Sequence, residues 1–264
     1  NPKAGMVYTH NPKNKFYVSF ARANREPSRS DFENGNPQPE ELNDYELGWR
    51  FNTEKTNLLV NIYLMDYTNQ LALTGALDDV GSPIRENVGK SSRLGIEIEG
   101  TFSLANRWTW QPNLTLSRNR NQDFYFQRDG VLTHLGDTHL SFSPAMVAGN
   151  IIAFQPSSQW KIALLTKHLG EQFMGNIDSE ISELPSYMVS DLNASYRWNP
   201  KKWVEEVKLN LLVNNIFNEQ YVSNGYFYTY DDDGSNPGQT TTIEGAGFYP
   251  QAGTHFLLGM SLRF

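Results

Sequence analysis

The last nine residues, 256–264, divide by parity. Phe256, Leu258, Met260, Leu262 and Phe264 project to one side of an extended strand, and Leu257, Gly259, Ser261 and Arg263 to the other. One such strand would suit any half-buried sheet. Here the alternation recurs along the whole chain, between connections of two sharply different lengths, and that combination is the pattern of an antiparallel transmembrane β-barrel.

Composition agrees by exclusion. With 39% hydrophobic residues, a mean hydropathy of −0.54 and a net charge of −7, the chain is too apolar and aromatic for disorder and too polar for a helical membrane protein. No run approaches the roughly 18 apolar residues of a spanning helix; even 58–65 is broken by Asn61. Spanning strands need only about 9–11 residues, half of them apolar, so negative hydropathy is compatible with a barrel. There is no cysteine, hence no disulfide frame, thiolate nucleophile or cysteine metal site. The acidic balance argues against a nucleic-acid partner, and the one compact basic pair, Lys201 and Lys202, reads as a solvated turn.

Short turns are expected at 11–14, 52–56, 104–107, 155–159 and 199–203, their starts 41 to 52 residues apart, and long polar loops at 24–41, 75–86, 125–137, 172–186 and 221–250. A repeat of this size could also be a propeller blade, but a blade holds four short strands, and each unit here has room for two long ones. Eleven strands are predicted: 2–10, 14–23, 42–52, 57–73, 88–103, 108–124, 139–154, 160–171, 187–198, 204–218 and 254–264. Leu94, Ile96, Ile98 and Phe102 oppose Arg93, Glu97, Glu99 and Thr101, and Val207, Leu209, Leu211 and Val213 oppose Lys208, Asn210 and Asn214; Tyr45, Leu47, Trp49 and Phe51 repeat the code. The apolar face is expected to meet lipid. Strand 57–73 is apolar on both faces through Tyr63, Met65 and Tyr67, so its inner face stays open.

All six tryptophans, Trp49, Trp108, Trp110, Trp160, Trp198 and Trp203, lie within about four residues of a predicted short turn. An indole pairs an apolar body with one N–H donor, so this placement suggests an aromatic girdle at the periplasmic membrane boundary. If Phe264 finishes at that side, an odd strand count puts Asn1 on the other. Bacterial barrels have even strand numbers, so the chain is expected to be the carboxy-terminal part of a longer barrel, with further strands covering its lipid-exposed edges.

Several stretches resemble TonB-dependent receptors, the 22-stranded plugged outer-membrane transporters: Arg25-Glu26-Pro27-Ser28-Arg29, then Pro39-Glu40 and Asp44-Tyr45-Glu46-Leu47-Gly48-Trp49-Arg50; Met65-Asp66-Tyr67-Thr68-Asn69-Gln70-Leu71; Ser92-Arg93-Leu94-Gly95-Ile96-Glu97-Ile98-Glu99-Gly100; and Leu212-Val213-Asn214-Asn215-Ile216-Phe217-Asn218 with Tyr221, before the terminal Phe264. The resemblance implies an all-β barrel in the bacterial outer membrane and energy-coupled uptake of a scarce solute such as an iron-siderophore, haem or cobalamin. It implies as partners the surrounding lipid, an amino-terminal plug, the remaining strands and a TonB-type energy transducer engaged through a short TonB box; a surface lipoprotein or larger envelope complex is a further candidate. The alternative is a passive porin or a structural barrel subunit.

Catalytic and cofactor signatures are lacking. His10, His134, His139, His168 and His255 show no ligand spacing, and no nucleophile elbow or phosphate-cradling loop occurs. Asp231-Asp232-Asp233-Gly234 opens like a calcium loop but lacks the distal Glu, and reads as a solvated acidic loop. The expected substrate-binding residues are outer-loop aromatics and one cation: Tyr125, Phe126, Arg128, Tyr226, Phe227, Tyr228, Tyr230, Phe248 and Tyr249. Arg50, Arg93, Glu97, Glu99, Asp191, Arg197 and Arg263 are expected to face the lumen and pair across strands or meet a plug. Phe264 is expected to serve the assembly signal read by the barrel-insertion machinery.

Overall fold

The computed structural model describes residues 1–33, 35–77, 83–200 and 203–264, so the Lys201–Lys202 turn lies outside the described residues. Along the chain, β1 (Lys3–Asn11) and β2 (Asn14–Arg25) precede a short helix, α1 (Arg29–Glu33). Next come β3 (Glu40–Asn52), β4 (Thr56–Thr68), β5 (Leu71–Leu77), β6 (Pro83–Asn87), β7 (Lys90–Ala105), β8 (Trp108–Arg128), β9 (Val131–His139), β10 (Met146–Phe154) and β11 (Trp160–Leu169). The minimal strands β12 (Gln172–Phe173) and β13 (Glu183–Leu184) flank a single 3-10 turn. Then follow β14 (Tyr187–Trp198), β15 (Glu206–Asn214), β16 (Val222–Asp232), β17 (Thr241–Pro250) and β18 (His255–Arg263).

Eleven of these form one wall in the order β1-β2-β3-β4-β7-β8-β10-β11-β14-β15-β18, every neighbour antiparallel. They are the eleven strands that the alternation marks. Two boundaries change by more than four residues. The run expected at 139–154 splits, because Phe142 adopts φ 50° and Pro144 has no N–H to donate; His139 ends β9, and the wall strand starts at Met146. The run expected at 57–73 stops at Thr68, before Asn69 at φ 55°, and its end becomes β5.

In such a meander successive connections alternate between the two ends of the wall. The short ones, 12–13, 53–55, 106–107, 155–159 and 199–205, share one end, and the long excursions 26–39, 69–89, 129–145, 170–186 and 215–254 share the other. The loops are themselves structured: β5 pairs with β6, β16 with β17, and β8 runs beyond the wall to pair with β9.

Cross-strand partners share a face, so the registers sort the side chains. Met6, Val18, Leu47, Ile62, Ile96, Leu116 and Met146 form one continuous row; Ala194, Leu211 and Leu258 form another at the far end. The opposite face carries the row Tyr17, Gly48, Asn61, Glu97 and Thr115, and the row Lys15, Arg50, Leu59, Glu99, Asn113, Gly149 and Lys167. The register also settles β4: Leu58, Val60, Ile62 and Leu64 join the apolar face, and Leu59, Asn61, Tyr63 and Met65 the polar one. Among the described residues nothing covers the apolar face. Leu47 is 55% and Leu94 51% exposed within a belt that crosses every wall strand, far beyond the patches of a few hundred Å² that water-soluble monomers show.

On the polar face, aromatic rings lie across glycines. A Cβ at Gly48 would come within 2.0 Å of the Tyr17 ring, and one at Gly95 within 2.6 Å of Tyr63 and 2.9 Å of the Leu116 carbonyl. The Tyr17 hydroxyl donates to Asn61 Oδ1 at 3.0 Å, and Asn61 donates to Glu97 at 3.5 Å. The lumen-type charges are mostly engaged: Arg197 with Glu206 at 3.1 Å, Arg263 with Glu205 at 3.2 Å, Arg93 over the Tyr67 ring at 4.8 Å, Arg50 over Tyr17 at 5.7 Å, and Asp191 accepting from the Asn215 N–H at 2.8 Å.

Candidate ligand-binding crown

The one buried apolar cluster among the described residues sits above the wall. Phe124, Phe126 and Ile177 form it, with Val88, Leu135 and Phe227 packed around them, so four of the five long connections meet there. Strand parity explains the choice of residues: β8 turns Phe124 and Phe126 inward and leaves Tyr125 55% exposed, stacked on His134 at 4.7 Å. Asp129 and Gly130, at φ 53° and 72°, close the hairpin to β9 in the positive-φ geometry that two-residue hairpin turns demand.

The β16–β17 hairpin is rooted between the last two wall strands yet reaches β5, which is rooted at β4. Tyr221 and Ser223, at its base, share a 560 Å³ pocket with Asn113, Gly149, Lys167 and Asp191 of the polar face. The hairpin therefore crosses over the polar side of the wall. One of its faces docks: the Phe227 ring lies where a Cβ at Gly175 would be 2.6 Å away, and Gly225 packs against the Gly247 carbonyl and the Met174 sulfur. A polar clasp holds the same side. Glu244 accepts from Arg128 at 2.5 Å and from Ser179, while Asp129 and Thr242 exchange two hydrogen bonds of 2.7 Å. Arg128 is thus spoken for by Glu244 and is not a free cation. Tyr226, Tyr230 and Tyr249 are exposed on the other face with Tyr228 between them, and Phe248 is exposed beside the docked side. A cleft of 860 Å³ lies between the β5–β6 hairpin, the β8–β9 hairpin and β16, lined among others by Glu86, Lys90, Asp123, Tyr125, Tyr230 and Asp231.

Two loop carboxylates are held below their ordinary range. Asp31 accepts from the Ser28 hydroxyl and N–H, both at 2.7 Å, with Arg85 3.8 Å away, and these partners outweigh its burial. Asp232 accepts from Ser235 and from the Gly234 N–H, a local turn that occupies the acidic run. His139 Nδ1 lies 3.1 Å from Asp178, and His134 Nε2 3.2 Å from Asp123. Among the described residues no group of three or more His, Asp or Glu is placed to hold a metal.

The tryptophans gather at the short-turn end. Trp49 donates to Asn14 at 3.0 Å and Trp110 to Asn150 at 2.9 Å; Trp108 stacks on Phe154 at 4.4 Å, and Trp160 packs on Tyr196 at 4.6 Å. The registers put these four, with Trp198, on the apolar face, and Trp203, 91% exposed, stands in the connection below. Phe264 follows the end of β18 and is exposed.

A family model described as TonB dependent receptor-like, beta-barrel matches residues 1–216. The chain belongs to that family. TonB-dependent receptors are outer-membrane β-barrel proteins, which accounts for the uncovered apolar face. Curated relatives include the pesticin receptors of Yersinia enterocolitica and Yersinia pestis, each 24% identical over 69% of this chain and 25% of the receptor's length. Among solved structures, the ferric-catecholate import receptor Fiu of Escherichia coli aligns over 99% of this chain and 34% of its own, with a TM-score of 0.69 and 17% identity. The ferric yersiniabactin uptake receptor FyuA of Yersinia pestis aligns over 99% and 37%, with a TM-score of 0.65 and 16% identity. The copper transporter OprC aligns over 99% and 39%, with a TM-score of 0.70 and 16% identity. These structures share the wall and its topology, and the chain spans about a quarter of the curated relatives it matches.

Proposed function

We propose that this chain is the carboxy-terminal part of the barrel of a receptor for energy-coupled import of a scarce solute, with an iron chelate as the leading class. The observation that carries the reading is the β16–β17 hairpin, docked across the polar face at the long-loop end, where it narrows a mouth and presents aromatic residues to an arriving ligand. The names of several relatives, among them receptors for ferric chelates, support the class of cargo. The outer edges of β1 and β18 have no partner strand among the described residues, and unpaired backbone in lipid costs several kcal/mol per group, so further strands complete the wall in this reading. A plug would fill the lumen, and a TonB-type protein would supply the energy. The tryptophans serve as a boundary girdle, Phe264 as part of the assembly signal, and the chain performs no catalysis of its own.

The test is uptake of radiolabelled iron by iron-starved cells that carry or lack the full-length receptor, given a panel of chelates, with and without an uncoupler. Saturable uptake that the uncoupler abolishes is expected. Entry that rises linearly with concentration and ignores the uncoupler would establish the passive porin instead.

A further inference from the structure

The crown leaves one aromatic surface uncovered. Tyr226, Tyr228 and Tyr230 alternate along β16, with Gly247, Gly245 and Ile243 as their cross-strand partners. The first two rings lie over the glycines: a Cβ at either position would come 2.4 Å from the ring opposite. Successive rings stand 6.3 and 6.4 Å apart and are nearly parallel, at 17° and 14°. The glycine floor lays the Tyr226 and Tyr228 rings across the sheet, and Tyr230, over Ile243, continues nearly parallel to them; Tyr226 and Tyr230 are exposed and Tyr228 is half-buried between them. The hairpin cannot roll over to hide this strip, because its reverse face is fixed by Phe227, by the buried Thr229 and by the Arg128–Glu244–Ser179 clasp.

Charge narrows what would settle there. The cleft at the Tyr230 end is bounded by Glu86, Asp123 and Asp231 against a single lysine, Lys90. Asp232 and Asp233 follow at the hairpin turn, and the Arg128 guanidinium is neutralised by Glu244. The face of a phenol ring is itself the negative pole of its quadrupole, attracting cations and disfavouring anions.

We propose that the Tyr226–Tyr228–Tyr230 strip selects an imported ligand that has a flat aromatic face and carries no net negative charge. A strongly anionic chelate would meet carboxylates and π faces of like sign, with Lys90 but no arginine lining the cleft. The inference rests on the import reading given above and adds to it the chemistry of the cargo.

Purified full-length receptor is titrated with two fluorescent probes of similar flatness and opposite charge, proflavine (a cation) and pyrene-1-sulfonate (an anion). Proflavine is expected to bind saturably and roughly tenfold or more tighter than the sulfonate. Tyr226→Ser and Tyr230→Ser, both at exposed rings, should each weaken proflavine several-fold, while the corresponding Phe variants, which keep the π face, bind like the parent. Equal or tighter binding of the anion, or serine variants indistinguishable from the parent, overturns the proposal. The titration needs no energised membrane: strip-dependent binding without energised uptake refutes only the import reading, and uptake with unchanged serine variants refutes only the strip.

Discussion

Leu59 and Ile62 are aliphatic residues on β4, and the registers send them to opposite faces. Ile62 pairs with Leu47 and Ile96 in the apolar belt, midway along the strand and clear of the tryptophan girdle; Leu59 pairs with Arg50 and Glu99 beside a 660 Å³ pocket. Arginine at Ile62 would put a guanidinium into hydrocarbon, at about 2–4 kcal/mol near the bilayer midplane. That corresponds to roughly a thirtyfold to several-hundredfold loss in the folding equilibrium constant. Arginine at Leu59 would stand in a wet lumen between Arg50 and Glu99, where repulsion from the guanidinium and attraction to the carboxylate, each about 0–1 kcal/mol, leave a small net cost. The assay is urea-dependent folding of the full-length receptor into lipid bilayers, followed by tryptophan fluorescence. Ile62→Arg should lower the midpoint clearly and Leu59→Arg much less. Equal shifts, or the larger one at Leu59, would refute the assignment of faces on which the membrane reading depends.

Three other outcomes follow from the geometry. Gly48→Ala drives a methyl into the Tyr17 ring and breaks its bond to Asn61, at about 1–3 kcal/mol in the same bilayer titration, and much of that cost should vanish in a Tyr17→Ala background. Because the Asp31 carboxyl is held below its ordinary range, its bonds to Ser28 contribute fully at neutral pH and are lost as acidification passes through the lowered pKa; hydrogen exchange at residues 28–33 should therefore accelerate only in acid, and Asp31→Asn should flatten the profile. Glu244→Ala releases both Arg128 and Ser179, so amides near 128–131 and 241–244 should exchange faster while those of β7 are unaffected.

The wall was legible because lipid on one side and water on the other impose a period of two, which Leu94, Ile96 and Ile98 against Glu97 and Glu99 display without help from distant residues. β4 was harder, since its polar face carries Leu59, Tyr63 and Met65, and only its neighbours' registers tell the sides apart. The crown was legible only in part. The Asp129-Gly130 pair is a local hairpin signal that could have revealed β9, but β16 reads Tyr-Phe-Tyr-Thr-Tyr, with aromatics on both faces. That Phe227 packs while Tyr226 stays exposed depends on Gly175 and Gly247, partners up to 52 residues away in the chain. The Arg128–Glu244 pair spans 116 residues and leaves no local trace at all.

The hairpin that arches over the mouth separates two timetables. Each wall strand finds its partner in the strand before it along the meander, so the sheet is able to zip progressively. The mouth must wait until its last excursion has been made and returned to elements established long before, since distant closures come late in folding. Evolution is thereby given two nearly independent texts to edit: one governs the wall, while the other, tied together by a few far-flung side chains, is free to be rewritten without disturbing the first.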